Sequence, residues 1–147
     1  MTLEQLRLKL VAAKTAGISQ VIFDYLSVMN RNGDSKSYPI ALWDFNNATG
    51  TQNLGGDQEK TITLNCWCIG DVAPEADIDN RHLVWDTLET AFKAYLVSVQ
   101  ADGNITIENS REVPFEYFPA GLFSLEREMG IRYNVTLKLW CYTPPGP

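Results

Sequence analysis

The sequence predicts an α+β fold, a mostly antiparallel sheet flanked by an N-terminal helix and a long central helix. Three observations carry this expectation. Two segments repeat apolar residues at three- and four-residue spacing, one near the N-terminus and one over residues 81–99. Several further segments are rich in β-branched and aromatic residues, and most connections between them are too short for a parallel crossover. The chain has 147 residues, 45% hydrophobic and 20% charged, a size and balance suited to one core. Residues 1–142 are read as a single domain. Residues 143–147, Thr-Pro-Pro-Gly-Pro, are read as a tail that joins neither helix nor sheet.

The elements follow in order. Thr2-Leu3-Glu4-Gln5 has the form of a capping box, and Leu3, Leu6, Leu10 and Ala13 then recur at helical spacing until Gly17, placed to end the helix in a left-handed conformation. Val21 to Val28 reads as a strand entering a hairpin at Asn30-Arg31-Asn32-Gly33-Asp34, with Tyr38 to Phe45 as the returning strand and Pro39 expected near an edge. Residues 46–60 are almost wholly polar with three glycines, and are expected to form a long mobile excursion, with or without a task. Thr61 to Ile69 alternates, placing Ile62, Leu64, Cys66 and Cys68 on one face and Trp67 on the other. The central helix carries Val84, Trp85, Leu88, Ala91, Phe92, Tyr95, Leu96 and Val99 as one stripe, with Asp79 or Asn80 as N-cap and Asp102-Gly103 as stop. Short strands are expected at 105–108 and 113–118, the second with an irregular arm as its alternative. The last strand, Ile131 to Tyr142, alternates cleanly.

Charge and composition exclude several functions. The net charge of −6 and pI near 4.7 leave no basic footprint for nucleic acid, and the basic residues are scattered singly. The carboxylates at Asp71, Glu75, Asp77 and Asp79 read as a solvated loop or as a surface that repels nucleic acid or carries a cation. Met1 to Leu6 has no secretory pattern, and no apolar run is long enough to cross a membrane. Cys66, Cys68 and Cys141 all lie in apolar segments, which fits buried thiols in a reducing compartment better than a zinc site, since His82 is the one histidine.

No enzyme chemistry assembles from these residues. His82 has no recognisable nucleophile partner, and Asp and Glu are spread through turns and strands without a pair that spacing can place. Asp77-Ile78-Asp79-Asn80 begins like a calcium loop but has His82 where glycine is required. Gly55-Gly56 matches no phosphate-binding motif. No metal or cofactor is expected. The aromatics are read mainly as core, but Trp43 with Phe45, and Trp67 with Trp140, fall opposite the apparent core residues of their strands. These four are the candidate interface aromatics.

The order of elements from Leu3 to Tyr142 resembles the tail-terminator or tail-completion proteins of tailed bacteriophages, which join head to tail. It comprises an amphipathic helix, a hairpin, a strand at 61–69, a long helix at 81–99 and closing strands ending in Lys138-Leu139-Trp140. The resemblance is to an arrangement, not to a catalytic signature. It implies a structural virion protein and not an enzyme: a homo-oligomeric ring, commonly hexameric, at the tail/neck junction. Such a ring meets tail-tube protein and neck or connector proteins, and DNA passes its lumen without specific binding. It assembles in the host cytoplasm, with no membrane partner. The contact loop carried over from the family is residues 46–60, with Asn46, Asn47, Thr51, Gln52, Asn53, Leu54 and Asp57 as candidate contacts. Alternatives are another neck or tail-tube-associated phage protein, or a small ligand-binding or enzyme domain with a pocket between Trp67, Trp140 and the long helix.

Overall fold

Residues 1–24, 36–54, 59–71, 82–119 and 128–140 are described by the structure, a computed structural model. Helix α1 (Leu3–Ala12) begins with the expected capping box: Gln5 N–H donates to Thr2 Oγ1 at 3.1 Å and Thr2 N–H to Gln5 Oε1 at 2.8 Å. It ends at Ala12, five residues before Gly17. Gly17 therefore does not cap the helix. A Cβ there would stand 3.0 Å from that of Ala91, so its smallness serves a close approach to the second helix.

The strands are β1 (Gln20–Asp24), β2 (Ile40–Gln52), β3 (Lys60–Asp71), β4 (Ile105–Ile107), β5 (Phe115–Phe118) and β6 (Glu128–Leu139), with helix α2 (His82–Gln100) between β3 and β4. The sheet order is β1-β2-β3-β6-β4, and β5 also pairs with β6. The class is α+β as expected, and every pairing but one is antiparallel. The exception is a correction: β1 and β2 are not a hairpin but run parallel, Gln20 opposite Ile40 and Asp24 opposite Asp44. About fifteen residues separate these strands, enough chain for a parallel return. The turn-like Asn30 to Asp34 lies outside the described residues. Pro39 directly precedes an inner strand and not an edge, and its carbonyl accepts from Ser19 and Gln20 N–H. That position needs no ladder N–H from the proline.

Residues 46–60 are the second correction. Most of the expected loop is strand: β2 runs on to Gln52 and β3 starts at Lys60, with Thr49, Gly50, Thr51 and Gln52 opposite Thr63, Ile62, Thr61 and Lys60. Ladder hydrogen bonds come from the backbone, so polar side chains did not prevent pairing. Register shifts between Asp44 and Thr49, where Asn47 adopts φ 64°, a left-handed conformation that asparagine tolerates better than most residues.

Both helices pack on one face of the sheet. That core joins Leu6 and Leu10 of α1 and Leu88, Ala91, Phe92, Tyr95 and Val99 of α2 to Trp43, Leu64, Cys66, Cys68 and alternate residues of β6 from Ile131 to Leu139. Phe92 stacks on Tyr133 with centroids 3.9 Å apart and planes 11° apart. Each large apolar side chain buried here contributes roughly 1.5–3 kcal/mol. Lys9 Nζ reaches Asp102 Oδ2 at 2.6 Å and ties α1 to the turn after α2. A second, smaller cluster of Ile40, Leu42, Trp67 and Ile69 occupies the opposite face, with Ile22, Tyr38 and Phe118 packed against it. Its residues are also buried within the chain.

Candidate functional site

The β2–β3 hairpin is built in two halves. From Ile40 to Asp44, β2 is buried at every position; beyond Phe45 it is exposed except at Ala48. The distal half is thus an exposed edge arm that begins at the Asn47 bulge and stays paired with β3, whose Ile62 and Leu64 belong to the core. Asn46, Asn47, Thr51 and Gln52 lie on this arm as strand residues, and Asn53 and Leu54 follow them. Asn53 N–H donates to Glu59 O at 2.8 Å, closing the arm toward its tip. Asp57 lies outside the described residues. Leu54 is 87% exposed, an apolar side chain held at the end of a polar arm. Along the arm, from Phe45 and Ala48 to Gln52 and Lys60, and with Leu3 of α1, runs a hollow of about 310 Å³. Glycine is required at 50, since a Cβ would fall 2.0 Å from Thr61 O.

The four interface aromatics do not form a common exposed surface. Trp43 is fully buried in the helix-side core with Ala41, and its face assignment is inverted relative to expectation. Residues 40–45 are apolar at both parities apart from Asp44, so spacing alone did not reveal which set meets the helices. Phe45 packs partly buried against the same core, its ring edge-on to Phe23 at 4.5 Å. Trp67 faces the other side as expected, but is only 6% exposed; its Nε1 donates to Asp44 Oδ2 at 3.2 Å and Phe118 packs on its ring. Trp140 follows β6 at the far end, under Lys138 Nζ at 4.5 Å. Trp67 pairs in register with Arg132 and faces away from α2, so Trp67, Trp140 and the long helix enclose no shared pocket.

Several features went unpredicted. Asp44 and Glu128 are buried carboxylates; Glu128 accepts from Tyr38 Oη at 2.6 Å and lies 3.7 Å from Lys36 Nζ. Alternation flags neither, because each occupies a strand position whose burial depends on neighbouring elements. The segment at 113–118 proves to be strand β5 from Phe115, and it carries the largest exposed aromatic surface described. Phe115 is 55% and Tyr117 44% exposed. Ring contacts run from Trp85 to Tyr117 at 5.1 Å, Tyr117 to Phe115 at 5.1 Å, and Phe115 to Tyr133 at 6.3 Å. Tyr117 donates to the Glu89 carboxylate, which pushes its phenol pKa up. On the opposite side of β5, Glu116 pairs with Arg132, whose guanidinium lies over Trp67 and Phe118.

The cysteines and the histidine among the described residues lie apart. Cys66 and Cys68 are buried in the core, with burial the main cause raising both thiol pKa values, Cys68 to about 12. His82 is exposed at the first position of α2. Among the described residues no three His, Cys, Asp or Glu side chains are grouped to hold a metal ion, and no helix is long and apolar enough to cross a membrane. Cys141 and the acidic residues at 75–79 lie outside the described residues. No protein-family model matches the chain, and comparison with curated proteins yields no significant relative.

Proposed function

We propose that this chain is a structural subunit of a tailed-phage virion, a tail terminator that closes into a homo-oligomeric ring at the tail/neck junction and carries no catalytic activity. The observation that carries the reading is the exposed hairpin arm: β2 runs seven residues beyond Phe45, four of them paired with β3, and is followed by Leu54 at 87% exposure. A paired edge with an exposed leucine at its end offers both backbone and apolar surface to a second molecule. In this reading the arm meets tail-tube protein or an adjacent subunit. The net charge of −6 lets DNA pass the lumen without adhering. The buried sheet faces do not supply the ring contacts, which fall instead to the arm, to exposed Leu8 and Val11 on α1, and to the edge at β5.

The test is the solution mass of the full chain by light scattering coupled to size exclusion, with negative-stain images of any large species and with tail tubes added. Rings, or binding to tube ends that Leu54→Asp abolishes without unfolding the chain, support the reading. A monomer that ignores tail tubes overturns it.

A further inference from the structure

β4 and β5 lie along the same edge of β6 in two different registers. Ile107 stands opposite Leu137 and Phe115 opposite Tyr133, so the chain from 108 to 114 passes alongside residues 134–136 alone. That is more chain than a ladder can use. The excess, residues 109–113, bulges outward as a strap closed by its own turn bonds, Ser110 N–H to Ile107 O at 3.3 Å and Glu112 N–H to Asn109 O at 3.1 Å. Ser110, Arg111 and Glu112 are exposed.

A ladder interrupted in this way leaves backbone groups of the inner strand in need of other partners. On β6 the backbone N–H and C=O of both Asn134 and Thr136 are nevertheless bonded. Glu108 N–H donates to Thr136 O at 2.8 Å, and Asn134 N–H donates to Pro114 O at 2.9 Å, each as in a regular antiparallel pair. The two groups between them meet the side chain of Asn109: Thr136 N–H donates to its Oδ1 at 3.0 Å, and its Nδ2 donates to Asn134 O at 2.9 Å. This order fixes the orientation of the amide, since turned over it would set oxygen against carbonyl and N–H against N–H. Proline has no N–H, so Pro114 cannot give the Asn134 carbonyl the bond that its ladder position would otherwise supply. Asn109 Nδ2 supplies it.

We propose that Asn109 is a conformational latch: its carboxamide stands in for a peptide group of the ladder and ties the strap to β6, so that residues 109–113 open and close without β4 or β5 parting from β6. A side chain suits this role because it leaves the ladder by rotating out, whereas a peptide group leaves only when its strand unzips. Val113, partly buried against the core, is the strap's other hold. Aspartate at 109 would keep an acceptor and lose the donor, and alanine would lose both. The latch does not depend on ring formation.

The experiment is NMR on the full chain labelled with carbon-13 and nitrogen-15. The expected result is a scalar coupling across the hydrogen bond from the Thr136 amide nitrogen to the side-chain carbonyl carbon of Asn109. A coupling to a backbone carbonyl instead, or none, overturns the proposal. Hydrogen exchange then reads the opening, with Val135 as reference because its N–H turns the other way, toward β3. Asn109→Ala should speed exchange at Thr136 about tenfold and leave Val135 within about twofold, as expected for a local opening that has lost its hydrogen bonds. Asn109→Asp should fall between the alanine variant and the unmodified chain. Equal acceleration at Val135 would mean that the whole sheet loosens, and unchanged exchange at Thr136 that the amide holds nothing; either overturns the latch. Should Asn109→Ala fail to fold, the coupling in the unmodified chain and the Asn109→Asp exchange decide the matter.

Discussion

The indole N–H of Trp43 donates to the phenol oxygen of Tyr95 at 3.0 Å, and that phenol donates to the carbonyl of Leu10 at 2.8 Å. One buried relay thus links β2, α2 and α1. The Leu10 carbonyl belongs to the last turn of α1, where carbonyls lack partners within the helix, so Tyr95 satisfies a group that burial would otherwise orphan.

Tyr95→Phe keeps the ring and removes both bonds, leaving the Trp43 N–H and the Leu10 carbonyl buried without them. Each such loss costs roughly 1–3 kcal/mol, so the variant is expected to be about 2–4 kcal/mol less stable. Urea unfolding followed by tryptophan fluorescence measures this. A loss smaller than about 0.5 kcal/mol would show that the relay contributes nothing net.

Gly50→Ala tests the arm. The added methyl meets the Thr61 carbonyl at 2.0 Å, a backbone atom that cannot move without disturbing the ladder, and overpacking of this kind costs roughly 1–3 kcal/mol. Because Gly50 lies on the exposed distal part of β2, which pairs only with β3 among the described residues, the effect should be local. Amide exchange at Thr61 and Ile62 should accelerate while the β3–β6 ladder near Cys66 stays protected. Uniform acceleration throughout the sheet would mean that arm and core unfold together.

The buried thiols and phenols make an alkaline prediction. Burial raises the pKa of Cys66, with the adjacent Cys68 thiol adding to it, and holds Cys68 at about 12; burial likewise raises Tyr95 and Tyr133. Groups whose folded pKa exceeds the unfolded value stabilise fully below the unfolded pKa, about 8.5 for a thiol, and that stability is lost as pH rises toward the folded value. Unfolding midpoints should therefore be insensitive to these groups below pH 8 and fall between about pH 9 and 12. Cys66→Ala with Cys68→Ala should flatten the decline. In the native protein at pH 8, peptide mapping should find neither cysteine alkylated by iodoacetamide; rapid alkylation without denaturant would contradict their burial.

Much of the fold was legible where one periodicity stood alone. The capping box at Thr2 and Gln5, the α2 stripe, and the faces of β3 and β6 follow from spacing, because each segment offers a single set of apolar positions to bury. Legibility failed where two sets competed or where polarity stood in for conformation. Polar side chains make the arm look like loop, although pairing is a property of the backbone. Of the candidate contacts, Asn46, Asn47, Thr51, Gln52, Asn53 and Leu54 are exposed, whereas Trp43 and Trp67 are packing residues.

The sequence by itself determined the α+β class, the order of elements and which residues of β3 and β6 share a face, because the two-residue repeat of a strand and the 3.6-residue repeat of a helix are local properties. Only the tertiary structure decided that β1 runs parallel to β2, that Trp43 rather than Leu42 meets the helices, and that Phe115 and Tyr117 remain outside. Those outcomes depend on which surface another element covers, a contact between residues distant in the chain that no local repeat encodes.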